Sequence, residues 1–154
     1  MELLKTGASK LGVTLSEHQL DQFETYFHEL EDWNKRANLT AIIEYEAVQV
    51  KHFVDSLTVC LTAGEVLTAS DQVPTRIMDV GAGAGLPGLA LKIAFPEIEL
   101  ALVESVKLGG TFQILTMAVA SWRLVPRRVV SRCLAASQPI SQAIPMVLLI
   151  RITT

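Results

Sequence analysis

Residues 76–88, Arg-Ile-Met-Asp-Val-Gly-Ala-Gly-Ala-Gly-Leu-Pro-Gly, hold the residue types and spacing best suited to holding a ligand. A short apolar run, Ile77-Met78-Asp79-Val80, leads into Gly81-Ala82-Gly83-Ala84-Gly85, and Leu86-Pro87-Gly88-Leu89-Ala90-Leu91 reads as the opening of a helix. Strand, glycine turn and helix in that order form the nucleotide-binding corner of a doubly wound α/β sheet. Such a turn needs positive φ and a close approach of backbone to ligand, and glycine provides both. Pro87 suits the first helical turn, where a missing N–H costs nothing.

Two ligands fit this corner. Gly83-Ala84-Gly85-Leu86-Pro87-Gly88 has the G-x-G-x-x-G spacing of a dinucleotide site, so an NAD-binding oxidoreductase is one reading. Asp79-Val80-Gly81-Ala82-Gly83-Ala84-Gly85 equally has the D-x-G-x-G-x-G spacing of S-adenosylmethionine (SAM) sites. Asp79 favours SAM. At the carboxyl end of the strand it would repel a pyrophosphate, whereas it can face the cationic methionine end of SAM. The next apolar run, residues 98–103, ends at Glu104. That is about the 20-residue offset expected of a carboxylate that accepts both ribose hydroxyls.

More of the chain shares a pattern. Trp33-Asn34-Lys35, Asn38-Leu39-Thr40, Lys51-His52-Phe53-Val54-Asp55-Ser56 and the run from Asp79 to Gly88 occur in that order and at close spacing. Together they resemble the RsmG (GidB) family of bacterial methyltransferases, which act on guanine N7 of 16S ribosomal RNA. The resemblance runs from about Leu15 to Lys107. It implies an α/β fold: N-terminal helices followed by the first half of a Rossmann-like class I SAM methyltransferase sheet, with the C-terminal half missing or replaced. It implies SAM as cofactor, with Asp79, Gly81, Gly83, Gly85, Leu86 and Glu104 as the binding residues. The partner it implies is 16S ribosomal RNA or the small ribosomal subunit, in the cytoplasm, and a monomer is expected. Guanine N7 carries a lone pair and no proton, so no catalytic acid or base is expected. The residues that hold the guanine belong to later strands.

The elements that must position these residues are legible in part. Ser16-Glu17-His18-Gln19 reads as a capping box, with Leu15 and Leu20 placed as a hydrophobic staple. Leu20, Phe23, Phe27, Leu30 and Trp33 recur at spacings of three and four, which predicts a helix over 16–36 with that stripe in the core. Asn38-Leu39-Thr40 ends it, and the Asn38 side chain is expected to bond the backbone at the exit. A second helix is predicted over 44–61, with Ala47, Val50, Phe53, Val54 and Leu57 buried and Gly64 as its stop. Residues 64–74 then read as a linker into the first strand. The strands on either side of the glycine turn and its helix should be adjacent and parallel. On the second helix, Lys51 and His52 are candidates for an RNA or substrate contact; the competing reading is an i,i+4 ion pair of Lys51 with Asp55. Lys35 and Arg36 could meet RNA or complement the helix C-terminus. His18 and His28 are expected at the surface, and no cluster has metal-ligand spacing.

Length and composition suit one globular domain, half of whose residues are hydrophobic. Cys60 and Cys133 are far apart, as in a reduced cytosolic protein. The amino terminus lacks the basic and apolar regions of a signal peptide, and the late apolar run 143–150 is too short to span a bilayer. Charge divides the chain. All 16 acidic residues lie at or before Glu104, and after Lys107 there is no Asp, Glu or Lys but five arginines: Arg123, Arg127, Arg128, Arg132 and Arg151. The segments are therefore 1–64, helical; 65–107, the first βαβ part of the SAM-binding domain; and 108–154, a divergent tail. We read this tail as translated out of frame; the alternative is a native tail made basic to touch RNA. Within it, residues 112–122 could form a helix and 146–152 have the look of a strand. A third functional class, a helical interaction module in residues 1–64 beside an α/β remnant, also fits.

Overall fold

The computed structural model describes residues 1–62, 76–108, 111–119 and 148–150, with side chains described to residue 104. The linker 64–74 with its Gly64 stop, Cys133 and the tail arginines lie outside the described residues.

The chain opens with a helix that the sequence pattern did not predict, α1 (Glu2–Lys10), which buries Leu4 and Ala8 one turn apart. Helix α2 (Glu17–Ala37) begins as predicted. Ser16 Oγ accepts the Gln19 N–H, and Gln19 Oε1 accepts the Ser16 N–H at 2.8 Å. Leu15 and Leu20, the two staple positions, are both buried. The buried face of α2 consists of Leu20, Phe23, Tyr26, Phe27 and Leu30. Trp33 is only half-buried, and the Arg36 guanidinium lies over its ring, 5.5 Å from the centroid. The core stripe therefore ends one turn earlier than predicted. Asn38 closes α2 in the left-handed region (φ 48°). The side-chain bond expected of Asn38 is made instead by Asn34, whose Oδ1 accepts the Thr40 N–H at 2.8 Å.

The second predicted helix forms with an irregular middle. An α-helical turn, α3 (Tyr45–Val48), runs into a π-helical segment, Gln49–Val54, and returns to α-helix at α4 (Asp55–Leu57). The wider winding of the π segment, with i→i+5 bonding, rotates the side chains that follow it. Val50, predicted to be buried, is 47 % exposed, and Gln49 takes the inward position instead. Gln49 is satisfied there, accepting the Leu4 N–H at 3.3 Å and donating to the Tyr45 carbonyl at 3.4 Å. Phe53 joins Phe23 (centroids 5.0 Å apart) and Tyr26 (5.2 Å, stacked) in an aromatic cluster between the helices.

Strand β1 (Arg76–Val80) pairs in parallel with β2 (Glu99–Leu108), as predicted, with Asp79 opposite Leu102 and Val80 opposite Val103. Between them runs α5 (Gly88–Ala94), every residue of which is buried. Its one charged side chain, Lys92, donates from Nζ to the carbonyls of Pro96 and Ile98, both at 2.6 Å, and so ties the helix to the start of β2. Buried ammonium groups persist where such acceptors surround them.

The expected end of β2 needs correction. β2 does not end at Glu104 but runs on to Leu108, where it pairs antiparallel with β3 (Thr111–Val119). Residues 111–119 are thus strand, where 112–122 could also have formed a helix; residues 120–122 lie outside the described part. Thr111, Phe112, Ile114, Thr116 and Val119 favour an extended backbone, and the free edge of β2 offers them a ladder. A short strand, β4 (Leu148–Ile150), falls inside the predicted run 146–152 and pairs in parallel with β1 on its other edge. The sheet order is β3-β2-β1-β4, with β1 in the interior.

Candidate functional site

The turn between β1 and α5 is built almost wholly from backbone. Gly81, Gly83 and Gly85 take φ of 79°, 50° and 97°, a region that L side chains enter only at a cost. The N–H groups of Gly81 and Ala82 both reach the Val103 carbonyl, at 2.8 and 3.2 Å, which hangs the turn from the middle of β2. The Gly85 and Leu86 N–H groups both fold back onto the Ala82 carbonyl, at 2.6 and 3.2 Å. Pro87 serves as the N-cap of α5, one position ahead of the predicted first helical turn.

The two sides of this turn differ. A Cβ at Gly85 would strike Leu89 and lie 3.2 Å from Tyr26 Oη; one at Gly88 would lie 2.7 Å from Asp79 Oδ2 and 2.8 Å from Leu102 Cδ2. Added to Gly81, a Cβ would meet nothing within 4 Å, and at Gly83 only the Gly81 carbonyl, at 3.9 Å. Gly85 and Gly88 therefore face packed protein, whereas Gly81 and Gly83 border open space into which a ligand could fit.

Two carboxylates bracket the turn. Asp79 is only 2 % exposed, beneath the turn, and its Oδ2 accepts the Gly88 N–H at 2.9 Å. Burial pushes its carboxyl up to about 6; the Gly88 bond opposes this and the Glu104 charge adds to it. The expectation that Asp79 faces a ligand therefore changes. The carboxylate sits under the turn and holds the first N–H of α5, which occupies the electropositive end of that helix. Glu104, half-buried on β2, accepts the Gly83 N–H at 2.6 Å. Asp79, Gly81, Gly83, Gly85, Leu86 and Glu104 thus converge on one corner, with Leu86 half-buried at its rim.

Lys51 and His52 lie elsewhere. His52 Nε2 pairs with Thr40 Oγ1 at 2.9 Å, and half-burial lowers the pKa of its imidazole, against the raising effects of nearby backbone carbonyls and of Asp55. This bond joins the Asn38-Leu39-Thr40 and Lys51-His52 elements, an interaction that spacing alone did not reveal. Lys51 and Asp55 are both exposed and make no ion pair with each other, since the π winding moves i+4 away from i. Arg36 pairs with Asp32 at 2.8 Å on the α2 surface. His18 and His28 are exposed, as expected.

Sequence reasoning missed the groups that fasten the helices to the turn. Tyr26 Oη donates to the Ala84 carbonyl at 2.9 Å. Gln19 Nε2 donates to the carbonyls of Ile93 and Ala94, both at 2.9 Å, and thereby caps the end of α5. Tyr26 was not part of the stripe read from the sequence, and its position three residues after Phe23 and beside Phe27 was the available signal. Among the described residues no group of three His, Cys, Asp or Glu is placed to hold a metal, and no helix is long and apolar enough to cross a membrane.

Comparison with known proteins fits this corner into a larger pattern. The family model for rRNA small subunit methyltransferase G (GidB) matches residues 19–142, which carries the likeness past Lys107. The chain is 48% identical over 112 residues to ribosomal RNA small subunit methyltransferase G of Dehalococcoides mccartyi, an alignment covering 73% of this chain and 45% of that relative. To the protein of the same name from Caldanaerobacter subterraneus subsp. tengcongensis it is 44% identical over 107 residues, covering 70% of this chain and 42% of the relative. The Halalkalibacterium halodurans protein of that name is 48% identical over 96 residues, covering 62% and 38%. The chain thus spans less than half the length of the curated relatives it matches. With a family model matching most of its length, this chain belongs to the rRNA small subunit methyltransferase G family.

Proposed function

We propose that this chain carries the SAM-binding half of a Rossmann-like methyltransferase whose substrate is a guanine N7 in 16S ribosomal RNA. The observation that carries the cofactor reading is the placement of Asp79 and Glu104 on either side of the glycine turn. A dinucleotide site offers the N-terminal N–H groups of its helix to a pyrophosphate. Here the first of these, Gly88 N–H, is already taken by the Asp79 carboxylate, and the Gly81, Ala82, Gly83, Gly85 and Leu86 N–H groups all bond within the protein. Little remains for an anion, and a second negative charge above Asp79 would be repelled. A cationic ligand with a ribose meets no such penalty.

The residues present suit SAM. Gly81 and Gly83 leave room for its close approach, Leu86 offers an apolar rim, and Glu104, which already accepts the Gly83 N–H beside that room, is the residue we assign to the ribose hydroxyls. When bound, SAM supplies an activated methyl on its sulfonium, so that the chemistry is the cofactor's and the protein supplies orientation. Guanine N7 needs no deprotonation before it attacks. The task of these residues is therefore to hold the cofactor in line with the base at near-attack distance and away from water. The groups that grip the guanine are assigned to strands of the family fold beyond β2. The RNA assignment rests on family membership, since residues 1–107 hold 16 acidic side chains against eight Lys and Arg, and an RNA-binding face is normally basic.

Calorimetric titration with SAM and with NADH tests the reading. Saturable SAM binding with no NADH binding is expected; tight NADH binding would overturn it.

A further inference from the structure

We propose that Tyr26 is a positioning residue of the glycine turn, which makes helix α2 part of the cofactor site. The inference rests on the reading of that turn as the SAM site and extends it to a residue far away in sequence.

The geometry is specific. The Tyr26 hydroxyl crosses from the buried face of α2 to the Ala84 carbonyl, a donor–acceptor distance of 2.9 Å. The same oxygen lies 3.2 Å from where a Cβ at Gly85 would stand, so it fills the packed side of the turn. On the other side Gly81 and Gly83 border open space. On its packed side the turn is held by this side-chain hydroxyl. Its remaining bonds run to Val103, to Glu104 and within the turn itself. Gly83 and Gly85 flank Ala84, so the carbonyl that Tyr26 holds lies between two residues of positive φ, 50° and 97°.

The hydroxyl is itself well fixed. Its ring is 5 % exposed and stacks on Phe53, 5.2 Å between centroids. Burial and the neighbouring Asp79 charge hold the phenol well above its ordinary pKa, so it stays protonated as a donor throughout the physiological range. Phe53 is the residue after His52, so the helix carrying Lys51 and His52 is joined to the turn through two rings and one hydrogen bond.

The test is Tyr26→Phe, which keeps the ring and its stacking and removes only the hydroxyl. Wild type and variant are titrated with SAM by calorimetry, and amide hydrogen exchange is followed at Gly85 and Leu86. We expect the variant to bind SAM about fivefold more weakly at unchanged stoichiometry, the loss of one ordinary hydrogen bond, with faster exchange at both amides. A merely structural role would lower the fraction of competent protein, and with it the stoichiometry, while leaving the dissociation constant as it was; that result would overturn the proposal. Should Tyr26→Phe fail to fold, exchange in the wild type decides. SAM must then slow the Gly85 and Leu86 amides, and unchanged exchange would refute the role. Absence of SAM binding by the wild type, with exchange still accelerated in the variant, would instead refute the cofactor reading and leave the clamp standing.

Discussion

Asp79 stands at an inward position of β1 where a strand commonly buries an apolar side chain, in line with Ile77 two residues earlier. Its carboxyl is raised from 3.8 to about 6, chiefly by burial. For an acid raised in this direction, the stabilising contribution is full below the unfolded value, declines as pH rises between the two values, and is gone above about 6. Asp79→Asn keeps an oxygen for the Gly88 N–H and cannot ionise. Relative to wild type, the variant should therefore gain stability between about pH 4 and about pH 7, by on the order of 2 kcal/mol. Urea unfolding of both proteins at the two pH values measures this; a difference independent of pH would mean that Asp79 is ionised without penalty. Glu104 makes a second residue-scale prediction. Glu104→Ala should weaken SAM binding by about 1–3 kcal/mol, through lost bonds to the ribose and to Gly83 N–H. Equal affinities in a calorimetric titration would remove Glu104 from the site.

At the scale of elements, Gln19 does work at two helix ends. It completes the capping box of α2 through Oε1 and satisfies two terminal carbonyls of α5 through Nε2. A capping residue is worth about 1 kcal/mol, so Ser16→Ala should cost about that much and Gln19→Ala distinctly more, since buried carbonyls would lose their donor. Equal costs in urea unfolding would mean that the contact with α5 adds nothing. Gly88→Ala should cost about 1–3 kcal/mol by overpacking against Asp79 and Leu102, read as a fall in Tm. How legible these elements were follows from the kind of signal each carries. The start of α2 and the β1–turn–α5 corner are local patterns, a capping box and a glycine run, and both were readable. The π segment was not, because the apolar spacing around Phe53 suits ordinary helix and only the packing selects the wider winding. Helix α1 has two buried residues, Leu4 and Ala8, too few to make a periodic stripe. The Tyr26–Ala84 and Thr40–His52 bonds join residues that no short-range pattern relates. β3 was left open because a helix and a strand are both available to residues 112–119 until the pairing with the edge of β2 is known.

Across the whole molecule, the helices and the sheet share one boundary, crossed by hydrogen bonds from Gln19 and Tyr26 to α5 and to the turn. This speaks for one packed unit and against a separable helical interaction module. The aligned relatives extend well beyond the matched part, 38–45% of their length being covered. In an open α/β sheet a ligand sits outside the carboxyl ends of several strands, and here β1 and β2 are the only strands of the described residues to which cofactor residues are assigned, the others lying on the turn and on α2. Cofactor binding and methyl transfer should therefore separate in the 154-residue chain. We expect it to bind SAM in a titration yet transfer little or no labelled methyl to 16S ribosomal RNA. A chain in which residues from 108 onward are replaced by the reading frame of the coding DNA that is richest in Lys, Asp and Glu should be active. The charge division motivates this: 16 acidic residues stand at or before Glu104 and none after, a distribution far from ordinary globular usage. The family match as far as residue 142 gives the opposite outcome a definite meaning. Robust turnover by the 154-residue chain would show that its own residues after Lys107 hold the guanine, and that the tail is native sequence.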